Sequence, residues 1–511
     1  MLSLLRGQPR AFQMIFLLEL WERFGFYTVQ GVLTLFFIRY LGYNEHDSYY
    51  TFGAFSALVY GMVVMGGYIG DRVLGTKRTI VLGLIVLVTG YFSLAITDKD
   101  HVFYALGLIC VGNGLFKANP SNLLAKCYER HDPRLHSGFT LYYMAVNLGS
   151  IIALFVGPEI ASRYGYSYAY LLSSIGLLIG LANYWLQRKY IIEINSNADS
   201  YKISLLQWLI ILVGIYLFTQ CSAYLLQHVM LAKNLLWVIT GAVVIYYCYL
   251  AQKESKIAMI RMFVAFVLMV EAVIFFTLYQ QMPTSLNLFA VNNVTPNFLG
   301  ITINAQSFQA LNPLWIVLLS PVLASFYARL NQQKILFPIP YKFALGMVLC
   351  GLSFLLLYFS RFFYSANGMI SSWWLIVSYL FQSLGELLVS ALGVAMVAEL
   401  VPVQITGFVM GIWFLTSAVA GFIGAAVASY TVLPEYIKPG VESLMIYTNV
   451  FAYIGVVTLS VALLMWLLAP YLSSFIAVKK IDSLLQKEDS EYFILNGSLN
   501  ECLITDNGSG L

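Results

Sequence analysis

Residues 12–39 read FQMIFLLELWERFGFYTVQGVLTLFFIR, an apolar run interrupted by Glu19, Glu22 and Arg23. It exceeds the ~20 residues a helix needs to cross a bilayer core. It is too long for a secretory signal, is charged in its middle and lacks a small-residue cleavage site, so it reads as a first membrane span. Glu19, Glu22, Arg23, Phe26, Tyr27 and Gln30 recur at steps of three and four and share one helix face. An ionised group facing lipid costs about 3 kcal/mol or more. That face must therefore turn inward, toward a cavity shared with other spans.

The other residues repeat the pattern. Of 511 residues, 60% are hydrophobic and 10% charged, against about 25% charged in soluble domains. About fourteen runs are long enough to span a membrane. They divide as 12–190, a six-helix bundle; 203–251, an inserted helix pair; 257–470, a second six-helix bundle; and 471–511, a cytoplasmic tail expected to be short helix followed by disorder. The expected fold is thus all-α and integral to the membrane: two six-helix bundles plus the pair. Two such halves around a midplane site form the usual frame of a secondary transporter. With both termini in the cytoplasm, most of the 28 Lys and Arg lie on the inner side, as the positive-inside rule requires. The net charge of +4 then reflects topology and calls for no nucleic acid.

Metal and cofactor chemistry find no foothold. The six cysteines are scattered, without CxxC or ligand spacing. The five histidines all fall in expected loops, so a proton carrier inside the membrane must be a carboxylate. The in-span ionisable groups are Glu19, Glu22, Glu271 and Glu386 against Arg23 and Lys117. Surplus buried carboxylates suit proton coupling. Asn113, Lys117 and Ser121 form a second polar stripe in the span 102–125, and Gln382, Ser383, Glu386 and Ser390 a third in the span 372–397. Cations on one half facing Glu386 on the other suit a zwitterionic ligand.

At these residues the sequence resembles the proton-dependent oligopeptide transporter family of the major facilitator superfamily. Glu19-Leu-Trp-Glu22-Arg23-Phe24 resembles its ExxERF motif. Gly67, Asp71, Arg72 and Lys77, within Gly66–Arg78, resemble the superfamily's cytoplasmic loop motif. Gly114-Leu-Phe-Lys117-Ala-Asn119, the segment Phe139–Ser150 with Tyr142, Tyr143 and Asn147, Gly385-Glu386, and Met410-Gly411-Ile-Trp413-Phe414 resemble further family segments in the right order.

The resemblance implies a major facilitator fold in a bacterial inner membrane that carries di- and tripeptides with protons, with no cofactor and as a monomer. It implies that Arg23, Lys117 and Asn147 meet the peptide's carboxylate end and backbone. Glu386 would meet its amino end and pair with Lys117 when the site is empty. Tyr27, Tyr60, Trp413 and Asn312 would line the pocket, and Glu19, Glu22, Arg23 and Glu386 would handle protons. Where many members pair Arg with Glu as an outer gate, this chain has Gln30 and Gln280, which suggests a neutral, hydrogen-bonded gate. The enterobacterial di- and tripeptide permeases are similar there, including the run Met282–Asn287. Glu271, nine residues before Gln280, is the candidate replacement acid. A nitrate-like anion would want no amine partner such as Glu386. An enzyme would need a nucleophile with its base, and a sensor would need an output domain larger than this tail.

Overall fold

In lipid a backbone group finds no partner except another backbone group, so the apolar runs close their hydrogen bonds within helices. The computed structural model describes residues 7–129, 132, 134–194, 197–333 and 337–505. Among them are 14 helical segments long and apolar enough to cross a membrane.

The first bundle comprises α1 (Arg10–Phe36), α2 (Glu45–Tyr68), α3 (Thr76–Ile96), α4 (Val102–Lys117) continued by α5 (Asn119–Lys126), α6 (Arg134–Tyr164) and α7 (Tyr166–Gln187). The pair is α8 (Leu205–Gln227) and α9 (Val229–Lys253). The second bundle holds α10 (Lys256–Tyr279), the short α11 (Ser285–Asn293), α12 (Leu311–Gln332), α13 (Ile339–Phe359), α14 (Ser372–Leu400), α15 (Thr406–Ser429) and α16 (Val441–Thr505). A two-residue hairpin, Asn297–Phe298 with Ile301–Thr302, precedes α12.

Buried apolar side chains gather in two large cores, one per bundle. Between them α2 and α15 run in close contact. A Cβ on Gly53 would stand 2.6 Å from the Gly421 carbonyl oxygen, so only glycine admits that approach. The inserted pair lies at the flank. α8 packs on α4, while α9 leaves Leu235, Val238 and Ile245 exposed and meets α2, α10 and α15 only lightly.

Three expectations change. Of the roughly fourteen apolar runs expected as single spans, the one over 259–290 is not one helix: α10 stops at Tyr279 and Gln280–Thr284 turn before α11. Pro283 has no N–H to give the Tyr279 carbonyl, and its ring crowds that carbonyl. The stripe Asn113–Lys117–Ser121 is likewise broken, because Pro120 forces a restart after Lys117. Ser121 turns its hydroxyl back onto the Ala118 carbonyl, 3.1 Å away. In the tail, α16 continues to Thr505 where disorder was expected. Pro470 is its last proline, and beyond it Leu, Lys, Glu and Gln favour helix. Residues 506–511 lie outside those described.

Candidate functional site

The ionisable stripe on α1 turns inward, with Glu19, Glu22 and Arg23 at most 4% exposed. Arg23 Nε donates to Glu22 Oε2 at 2.6 Å, with Nη2 at 2.5 Å from the same oxygen. Glu19 Oε1 stands 3.5 Å from Nε. Tyr142 donates its hydroxyl to Glu19 Oε2 at 2.7 Å, and Asn113 Nδ2 donates to Glu22 Oε1 at 3.3 Å. One guanidinium thus serves two carboxylates, so either a negative charge or a proton is left over. The Arg23 guanidinium also lies 5.1 Å from the Phe26 ring.

Lys117 ends α4 because Pro120 ends the helix there, and its Nζ sits 4.0 Å from the centre of the Tyr60 ring on α2. Among the described residues it forms no ion pair. Across the seam, Glu386 on α14 accepts a hydrogen bond from Asn312 Nδ2 on α12 at 2.7 Å, and the same amide reaches Ser383 Oγ at 3.2 Å. The expected Lys117–Glu386 pair is therefore not formed. Each group takes a partner within its own bundle, Tyr60 for one and Asn312 for the other. Tyr27 stands between the two faces, within electrostatic reach of Arg23 and Glu386 and beside Tyr279 and Ser150. Tyr60 and Tyr143 also lie near Tyr27 and Glu386.

Other expected residues fall less centrally. Asn147 is buried and spends its Nδ2 on the Tyr143 carbonyl one turn back, at 2.8 Å. Trp413 belongs to the second core, 5% exposed, packed on Gly393 and edge-on to Phe276. Little of its ring is open to a ligand in this state. Glu271 is 2% exposed, and neither carboxylate oxygen has a hydrogen-bond partner among the described residues.

The gate also differs from the expectation. Gln280 donates to Ser56 Oγ at 2.7 Å, not to Gln30. Ser56 is the group α2 presents where Gly424 lets Gln280 close in, since a Cβ there would meet Gln280 Cβ at 2.6 Å. Around it Thr34 Oγ1 donates to the Pro283 carbonyl at 2.7 Å. Gln306 and Gln309 Nε2 both donate to the Gly31 carbonyl, at 3.3 and 3.0 Å. Every one of these bonds joins the first bundle to the second, so the seam at this end is shut. Most use a backbone carbonyl, which sequence patterns do not advertise. The i,i+3 spacing of Gln306 and Gln309 before α12 was the available signal.

At the opposite end the loop motif is a packing device. Asn119 Nδ2 donates to the Gly66 and Leu115 carbonyls at 3.2 and 2.7 Å. Asn122 Nδ2 reaches Asp71 at 3.5 Å, and Lys77 Nζ donates to the Ile191 carbonyl at 3.2 Å. Gly67 lies against Ala118, and Arg72 is exposed. Of the histidines, His101 and His228 flank helices, while His46 and His136 fall in first helical turns, contrary to the loop assignment. His131 lies outside the described residues. No cluster of His, Cys, Asp or Glu among the described residues could hold a metal. An apolar crevice of about 440 Å³ between α2, α9 and α15 has no charged lining and is unsuited to a zwitterion.

The family model described as the POT family matches residues 77–445. The chain belongs to the POT family. It is 51% identical over 469 residues to the dipeptide and tripeptide permease B of Aeromonas hydrophila, covering 91% of this chain and 94% of that one. With the permease B of Salmonella typhimurium it shares 49% over 471 residues, covering 92% and 96%. Among solved structures, tetrameric PepTSo2 superposes with a TM-score of 0.82 at 35% identity, covering 91% of this chain and 99% of that one. A peptide transporter POT in complex with sulfate gives 0.80 at 27%, covering 92% and 96%. This POT-family chain is a multi-pass membrane transporter, not an enzyme.

Proposed function

We propose that the chain imports di- and tripeptides together with protons, by alternating access around the central cavity. The observation that carries this is the division of charge. Arg23 and Lys117 belong to the first bundle and Glu386 to the second, and among the described residues none forms an ion pair across the seam. A peptide's carboxylate would meet the cations, its ammonium would meet Glu386, and Tyr27, Tyr60 and Asn147 would contact its length. A site that grips termini tolerates many side chains, so affinity is modest.

The proton, the only coupling ion required, neutralises a carboxylate among Glu19, Glu22 and Glu386. That permits the outer ends to close. Release follows on the cytoplasmic side, where we place both termini, in a bacterial inner membrane. A potential of 100 mV adds about 2.3 kcal/mol per charge moved. The monomer is taken as the transporting unit, since one chain holds all these residues. Purified protein in liposomes should accumulate labelled dialanine only with an inward proton gradient. A protonophore should abolish the accumulation and tripeptides should compete. Gradient-independent uptake, or none by folded protein, would overturn the reading.

A further inference from the structure

We propose that the groove where the first bundle meets the inserted pair binds an anionic phospholipid. This groove of about 580 Å³ lies between the start of α3, the end of α7 and the start of α8. Its rim is cationic. Lys77 and Arg78 open α3, and the exposed Arg188 directly follows α7 with its guanidinium 4.6 Å from the Trp185 ring. Arg78 is fixed by main-chain carbonyls, with Nη1 on Tyr201 at 3.0 Å and Nη2 on Asp199 at 3.1 Å. Lys77 Nζ is held by the Ile191 and Ile192 carbonyls. Neutral carbonyls orient Arg78 without cancelling its charge, whereas Lys77 also feels the Asp199 carboxylate.

The acids here are Asp199, whose Oδ1 accepts from Lys77 N at 3.3 Å, and Glu193. Against them stand Lys77, Arg78, Arg188, Lys189 and Lys202, so the local field attracts an anion. Basic pockets between helices at a membrane face recognise anionic head groups on this principle.

Below the rim the lining turns apolar, with Val81 and Ile85 along α3 and Trp208 opposite on α8. Amphipathic rings such as those of Trp185 and Trp208 favour the level of the head groups. A free phosphate would use only the rim, whereas a phospholipid fills both parts. The small third core of Leu74, Leu82, Val86, Val111 and Leu115, joined by Trp208, Ile211 and Ile215, fastens α8 to the first bundle beside this groove. A lipid there would extend that attachment.

The test is native mass spectrometry of the purified full-length protein, titrated with phosphatidylglycerol, with phosphatidylcholine of the same chains, and with inorganic phosphate. The wild-type protein should retain one phosphatidylglycerol at least about tenfold more tightly than phosphatidylcholine, with inorganic phosphate failing to displace it. Removing two rim cations (Arg78→Gln with Arg188→Gln) should weaken retention at least about tenfold, at roughly 1 kcal/mol per cation. Lys99→Gln, exposed at the opposite end of α3, should change nothing. Equal retention of the two lipids, displacement by phosphate, or undiminished retention by the double variant would each overturn the proposal. The wild-type comparison needs no substitution and decides even where the double variant misfolds.

Discussion

The carboxylates of the two bundles live in opposite circumstances. In the first, Glu19 and Glu22 share the Arg23 guanidinium and take further bonds from Tyr142 and Asn113. In the second, among the described residues, Glu386 is held by the neutral amide of Asn312 and Glu271 has no hydrogen-bond partner. A carboxylate already held by a cation is poor at receiving a ligand's ammonium, whereas one held by an amide keeps its charge available. The first bundle is thus built to hold charge together, and the second to present it.

Breaking the first arrangement should have the largest effect. Arg23→Gln leaves two buried acids without a cation, a loss of about 3–5 kcal/mol. Thermal stability should fall sharply and uptake should vanish; a stable, active variant would refute the shared-cation picture. Next, Glu386→Gln keeps shape and removes the charge. At about 2–5 kcal/mol for a lost buried partner, binding of free dipeptides should weaken about thirtyfold or more, while N-acetylated dipeptides are little affected. Equal losses for both ligands would separate Glu386 from the amino end.

Glu271→Gln sharpens the contrast within the second bundle. With no hydrogen bond to the acid among the described residues, fold and peptide exchange without a gradient should persist, while proton-driven accumulation is lost if the group carries a coupled proton. Unchanged accumulation would remove Glu271 from the mechanism. Tyr60→Leu should cost about 0.5–2 kcal/mol from the lost ring contact with Lys117, read as a lower thermal stability of the empty protein. The smallest effect belongs to the gate. Gln306→Ala with Gln309→Ala removes two bonds to Gly31 at about 1 kcal/mol each. Outside labelling of a Ser150→Cys thiol should speed up, and because the gate is neutral, ionic strength should not alter the rate.

Much of this was legible in the chain. Span length, the inward face of α1 and the isolated acids follow from the cost of polar groups in hydrocarbon, which acts residue by residue. The helix breaks before Pro120 and Pro283 are also written there, as missing donors. Which partner each group takes was not legible. Gln280 meets Ser56 because Gly424 lets it close in, and Lys117 stacks on Tyr60 because both lie in one bundle while Glu386 lies in the other. Local sequence determined that these side chains are inside the membrane and on which helix face. Pairing across a seam depends on distances between segments hundreds of residues apart, and only the packed bundles set those distances.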